Sequence, residues 1–166
     1  MLKQAEADLP ALVASDPRLR FRFVYEGLQD WTPEPGLYDC IWVQWVIGHL
    51  TDRDMVAFLR RALAGLREGG FVVLKENTCR EGFVVDKEDS SLTRSDAYFR
   101  QLFVHAGVRV ASHAAQREFP KELFKVMMYA LQPAAEGEDA AMGDDAAAGR
   151  GGKRQKLQAA GPKLLD

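Results

Sequence analysis

Strand-like alternation and helix-like spacing take turns along the first 132 residues. Residues 2–14, LKQAEADLPALVA, favour a helix around an interruption at Pro10, and Ser15, Asp16 and Pro17 supply a turn. Residues 20–25 then read RFRFVY, with Phe21, Phe23 and Tyr25 on one face, which predicts a strand ending at Gly27. DWTPEPGL at 30–37 is a loop, because two prolines and a glycine break any ladder. YDCIWVQWV at 38–46 is apolar almost throughout and rich in aromatic and β-branched residues. That pattern predicts a central parallel strand buried on both faces, with Trp42 as a core aromatic.

Thr51 or Asp52 is placed to cap a helix whose Met55, Phe58, Leu59, Ala62, Leu63 and Leu66 recur at three and four. Gly69 and Gly70 are expected to stop it, and residues 71–74 form a compact apolar strand running into the polar cluster Lys75, Glu76, Asn77. The charged and hydroxyl-rich stretch 80–96 reads as a long loop, after which Ser95 or Asp96 caps a helix through His105. Residues 108–116 and 123–132, separated by a turn at Pro120, predict two antiparallel terminal strands. From Pro133 onward alanine, glycine and charge dominate, so 133–166 is expected to be a disordered tail beside a domain at 1–132.

This order is that of an α/β domain with an open, mainly parallel sheet, in which ligands sit outside the carboxyl ends of the strands. The stretches to inspect are therefore 26–30, 44–49 and 76–77. A formal net charge of -2 gives no global field for nucleic acid, and no apolar run reaches the length of a membrane span. The tail cluster Lys153, Arg154 and Lys156 is short for an import or nucleic-acid patch. Cys40 and Cys79 lack paired-motif spacing, and the first residues do not form a signal peptide, which together predict an intracellular protein, cytoplasmic or nuclear. His49, His105 and His113 are too dispersed to suggest a metal site.

The strand ends carry GLQDWTPEP at 27–35, IWVQWVIGHLTD at 41–52 and LKEN at 74–77, followed by VVDKEDSS at 84–91 and FPKELFKVMMYAL at 119–131. This ordered set resembles the α-N-terminal protein methyltransferases, which modify proteins beginning with any residue followed by Pro-Lys. The resemblance covers residues 1–132 and implies a Rossmann-like, seven-stranded class I methyltransferase fold. It also implies S-adenosylmethionine as cofactor and protein substrates with X-Pro-Lys N-termini. Under it the chain is expected to start in the helix before the third strand, without the first two strands, the glycine-rich cofactor loop and the acidic ribose-binding residue.

The resemblance assigns Asp89 and His49 to proton acceptance from the amine, Trp45 to the wall against which proline packs, and Asn77 to orientation of the first residue. Asp86, with Ser91, is assigned to the substrate lysine, and Leu28, Gln29 and Gln44 to the cofactor. Phe124 stands where the family leads one to expect a tyrosine. Taken without the resemblance, His49 also fits a loop hydrogen-bond partner, Asn77 a turn, 86–89 a solvated loop and Gln44 a buried structural hydrogen bond. Alternative readings of the whole are a non-catalytic module that binds Pro-Lys N-termini or a partner protein, and an incomplete gene model.

Overall fold

The computed structural model describes residues 18, 20–120 and 122–135. The helix expected at 2–14 and the tail beyond Ala135 lie outside them. The chain divides into two compact units, residues 1–31 and 32–166.

In the first unit, residues 20–27 have no regular secondary structure, and the amides of Asp30 and Trp31 both donate to the Gly27 carbonyl, at 3.0 and 2.9 Å, closing a turn over 28–30. The strand expected at 20–25 is therefore not formed. Alternation selects a face, but a strand exists only where a neighbour answers its backbone groups, and no described strand pairs with this one. Phe21 and Tyr25 remain exposed.

The second unit builds a four-stranded sheet in the order β1-β2-β6-β5, plus a separate two-stranded sheet, β3-β4. In chain order the elements are β1 (Tyr38–Gln44), the 3-10 turn Ile47–His49, α1 (Asp52–Gly65), β2 (Leu66–Thr78), β3 (Phe83–Asp86), β4 (Ser91–Arg94), α2 (Asp96–Ala106), β5 (Val108–Ala115) and β6 (Lys125–Pro133). β1 runs parallel to β2, while β6 runs antiparallel to both β2 and β5, so the terminal hairpin expected from the sequence is present.

Three expectations need correction. β1 is an edge strand rather than a central one: it pairs with β2 alone among the described strands, and its alternation buries Ile41 and Val43 but leaves Trp42 57% exposed. Trp42 is thus not a core residue. α1 ends at Gly65, not at the glycine pair, because β2 already begins at Leu66. The register jumps from Tyr38↔Leu66 to Cys40↔Phe71, and Gly69, at φ 78°, supplies the left-handed turn that this bulge requires. Finally, 80–96 is no loop. Four residues on each side, FVVD and SLTR, pair as β3 and β4, with Lys87, Glu88 and Asp89 in the turn between them.

Thr51 caps α1, its hydroxyl accepting from the Asp54 amide at 3.1 Å, and Ser95 caps α2 through the Tyr98 amide at 3.2 Å. The helices pack on each other and on the sheet, burying Met55, Phe58, Leu59 and Ala62 from α1 and Phe99, Leu102 and Phe103 from α2. Phe99, Phe103 and Tyr129 of β6 form an aromatic cluster with centroids 5.3–6.1 Å apart. The Tyr129 hydroxyl reaches out of this cluster to donate to Asp96 Oδ1 at 2.7 Å, and Arg100 donates to Oδ2 at 3.0 Å. Burial and the bond to Asp96 push the Tyr129 phenol far up, so it stays a donor. Burial would raise Asp96, but the Tyr129 bond, Arg100 and His113 outweigh it and hold the carboxyl below its ordinary 3.8.

Removing that hydroxyl, Tyr129→Phe, is expected to lower stability by about 1.5–3 kcal/mol, the usual worth of a hydrogen bond to a charged group. A group with a depressed folded pKa contributes stability that is present above its unfolded pKa and lost as pH falls through its folded one. Urea unfolding should therefore show the Tyr129→Phe deficit at neutral pH and a smaller one below pH 3.8. A deficit that does not change with pH would contradict this coupling. Among the described residues no helix is long and apolar enough to cross a membrane, and no group of three or more His, Cys, Asp or Glu is placed to hold a metal. Cys40 and Cys79 are free thiols.

Candidate active site

Parallel strands β1 and β2 deliver their carboxyl ends side by side. The ladder extends one residue past β1, with the Trp45 amide donating to the Lys75 carbonyl at 3.1 Å. Trp45 then turns into the left-handed region at φ 51°. For a bulky side chain this conformation costs about 1–3 kcal/mol and persists where the surroundings enforce it. The result is an indole 49% exposed, with Lys75 Nζ 5.1 Å from its ring centroid. A cation over an aromatic face is attractive, so backbone and side chain of Lys75 both fix Trp45.

The turn that follows, Ile47–His49, presents an exposed His49. Its backbone is pinned from below by Arg94, which is fully buried. Arg94 Nε donates to Asp52 Oδ1 at 2.8 Å, Nη2 to the Leu50 carbonyl at 2.7 Å and Nη1 to the Ile47 carbonyl at 3.5 Å. Tyr98 completes the set by donating to Asp52 Oδ2 at 2.6 Å. Burial and that bond push the Tyr98 phenol up to about 12, so it too remains a donor. Asp52, considered above as a cap, is instead the buried counter-ion of Arg94, a residue to which the sequence reading gave no role.

Arg94 ends β4, so the same network ties the β3–β4 hairpin to the His49 turn. Gly48 permits their close approach: a Cβ there would lie 3.2 Å from the Leu92 carbonyl oxygen and 3.7 Å from Ser91 Cβ. On the hairpin, Asp86 and Ser91 are direct cross-strand partners, which brings together the two residues assigned to the substrate lysine. Asp86 Oδ1 accepts from the Glu88 amide at 2.8 Å, shaping a turn in which Ser90 adopts φ 58°. Asp89 sits exposed in that turn.

Alternation along β2 buries Glu76 and Thr78 on one face and leaves Lys75 and Asn77 half-buried on the other. Asn77 is thus presented with Lys75, opposite Val126 of β6. Glu76, unremarked in the sequence except as part of a polar cluster, is 6% exposed. Its Oε1 accepts from the Asn77 amide at 2.9 Å, while Oε2 has no hydrogen-bond partner. Burial raises its carboxyl above the ordinary 4.5, opposed by the amides of Asn77, Ile47 and Val46 and by the field of His49. The Ile47 and Val46 amides act on the carboxylate without closing a hydrogen bond on Oε2.

The residues assigned to the cofactor belong to both units. Gln44 Oε1 accepts from Trp42 Nε1 at 3.0 Å, a hydrogen bond that is exposed rather than buried. Leu28 is half-buried and Gln29 exposed in the turn at 28–30 of the first unit, where Gln29 Nε2 donates to Asp30 Oδ2 at 3.1 Å. An amide at the end of β1 is chemistry suited to a neutral part of a nucleoside or amino acid, so Gln44 fits a share of such a cofactor. An open cleft of about 790 Å³ lies near the end of β2, lined in part by Thr78, Asp96, His113, Phe124 and Lys125, but by none of the assigned site residues.

Comparison with known proteins agrees with this architecture. The family described as AdoMet dependent proline di-methyltransferase matches residues 2–132. Alpha N-terminal protein methyltransferase 1 of Oryza sativa subsp. japonica is 53% identical over 119 residues, covering 72% of this chain and 39% of the rice protein. N-terminal Xaa-Pro-Lys N-methyltransferase 1 of Homo sapiens is 44% identical over 106 residues, covering 64% of this chain and 48% of the human one. A solved SAM-dependent methyltransferase from Leishmania major superposes with a TM-score of 0.66 at 44% identity, over 68% of this chain and 45% of that one. The chain thus spans less than half the length of these relatives. The sheet, with its parallel and antiparallel strands, is that of a Rossmann-like methyltransferase. On the extent of the family match and on these identities, the chain belongs to the AdoMet-dependent proline di-methyltransferase family.

Proposed function

We propose that this chain forms the substrate side of an S-adenosylmethionine-dependent enzyme that methylates the α-amino group of proteins beginning X-Pro-Lys. The observation that carries the reading is the assembly at the ends of β1 and β2: a strained, Lys75-braced Trp45, an exposed His49 and a half-buried Asn77, with a hairpin carrying Asp86, Asp89 and Ser91 held against the His49 turn. Membership of the family and the names of the rice and human relatives support the substrate class.

A free α-amine has a pKa of about 7.7–8.0, so it is mostly protonated at neutral pH and carries no lone pair for attack. Asp89 and His49 accept that proton directly or through water, the carboxylate and the imidazole both being competent bases. Asn77 orients the first residue through its amide, and the indole of Trp45 gives the second-position proline a flat apolar wall. The paired Asp86 and Ser91 receive the lysine ammonium, which as a point charge suits a single carboxylate. When bound, S-adenosylmethionine supplies an electrophilic methyl on a sulfonium, with Leu28, Gln29 and Gln44 as its contacts in this chain. Holding the neutral amine in line is what these residues contribute. Action on protein termini in the cytoplasm or nucleus belongs to the same reading, as do the two free thiols.

The test is methyl transfer to a peptide beginning Ser-Pro-Lys, located by mass spectrometry, for this chain and for a longer polypeptide carrying it at its relatives' full length. Methylation confined to the α-amine by the longer polypeptide, and lost when the second residue is Ala, is expected. Transfer to the lysine side chain, or none from the longer polypeptide, would overturn the reading.

A further inference from the structure

Lys75 is half-buried, yet among the described residues no carboxylate pairs with it. Its ammonium lies instead over the indole of Trp45, 5.1 Å from the ring centroid. The parallel ladder sets this contact: Gln44 is the register partner of Lys75, and the Trp45 amide donates to the Lys75 carbonyl at 3.1 Å. Alternation along β2 also puts Lys75 on the same face as Asn77, the residue assigned to the substrate's first position. A fixed positive charge thus stands in a site whose proposed substrate carries two ammonium groups, its terminus and its lysine side chain.

An exposed indole attracts a cation as readily as it packs a proline ring. Left open, the ring of Trp45 would offer a seat to a basic side chain at the second position, or to the substrate's lysine in competition with Asp86. With Lys75 over the ring, that attraction is already taken and a second cation meets a like charge.

We propose that Lys75 is the positioning residue that makes Trp45 selective for a neutral second residue, its ammonium bracing the indole and denying the ring to other cations. The inference rests on the reading of Trp45 as the proline wall. Bracing holds the ring in its φ 51° conformation before the peptide arrives, so less ordering is lost on binding. The charge then discriminates. Proline is neutral and loses nothing beside it, whereas lysine or arginine would be repelled, and repulsion of the wrong ligand is a source of specificity in its own right.

Calorimetric binding of peptides beginning Ser-Pro-Lys and Ser-Arg-Lys to this chain is the test. The unsubstituted chain should prefer the first. Lys75→Met, which keeps an unbranched stem and removes the charge, should weaken Ser-Pro-Lys and strengthen Ser-Arg-Lys, so that the preference falls about tenfold or more. A gain of affinity for one peptide cannot come from loss of the fold. Lys75→Arg keeps a cation that stacks on an indole and should retain the preference.

Equal weakening of both peptides by Lys75→Met, an unchanged preference, or a loss in Lys75→Arg as complete as in Lys75→Met would overturn the proposal. No preference in the unsubstituted chain would sink the reading of Trp45 as the proline wall, and this inference with it. A preference that survives Lys75→Met leaves that reading standing and removes Lys75 alone.

Discussion

Arg94→Met is expected to destabilise the chain by about 3–5 kcal/mol, because it leaves Asp52 buried without its ion pair. Both side chains are wholly inaccessible, so water cannot replace the guanidinium. The substitution also strips donors from the Leu50 and Ile47 carbonyls. Domains are stable by about 5–15 kcal/mol, so this one change is a large share of the total. Adding Asp52→Asn should recover part of the loss, since the uncompensated charge disappears, and urea unfolding of both singles and the double measures the coupling. A loss under about 1 kcal/mol for Arg94→Met would mean that the network does not carry the load assigned to it.

The effect should extend to the site. Arg94 joins the end of β4 to the carbonyls of Ile47 and Leu50 at the His49 turn. Even under conditions where Arg94→Met remains folded, the hairpin bearing Asp86 and Asp89 loses its anchor.

The second large effect concerns proton acceptance. Replacing both acceptors, Asp89→Asn with His49→Gln, is expected to lower methyl transfer to a Ser-Pro-Lys peptide by about 10²–10⁴-fold, the usual contribution of a positioned base. The loss should fall on kcat rather than KM, because neither group holds the proline or the lysine. It should shrink as pH rises past about 8, where the amine is already neutral. Each single substitution should cost less than the double, since one acceptor can serve when the other is gone. A double variant whose rate is within about threefold of the parent at neutral pH would remove both residues from the proton path.

Much of this arrangement is legible in the sequence, and the exceptions have physical causes. The spacing of Met55, Phe58, Leu59 and Ala62 and the cap at Thr51 locate α1, since helix signals are local. The terminal strands are equally plain, because length, spacing and the Pro120 turn agree. The stretch at 20–25 has the same alternation and forms no strand, since pairing depends on a neighbour that local periodicity cannot supply. Composition hid β3 and β4: the charges of Lys87 to Asp89 occupy the hairpin turn, while Val84, Val85, Leu92 and Thr93 make the middle of the ladder.

The candidate site residues come from the resemblance carried by the ordered motif set, not from periodicity. Asp86 and Ser91 are five positions apart and meet because the hairpin pairs them, which the loop reading did not contain. The pairing of Arg94 with Asp52 was missed because a buried ion pair 42 residues apart leaves no local signature. Glu76 was missed for a related reason. Its neighbours made it look like a member of a solvated cluster, whereas the strict alternation of β2 turns it inward. Applying that alternation from Val72 through Leu74 to Glu76 would have found it.

The most direct measurement of the central claim is calorimetric binding of short peptides to this chain. A free Ser-Pro-Lys terminus should bind, substitution of its proline or its lysine by alanine should weaken binding by about tenfold or more, and Asp86→Asn should abolish the preference for lysine. Equal affinity for all three peptides, or none for any, would contradict the assignment of Trp45, Asp86 and Ser91 to an X-Pro-Lys site.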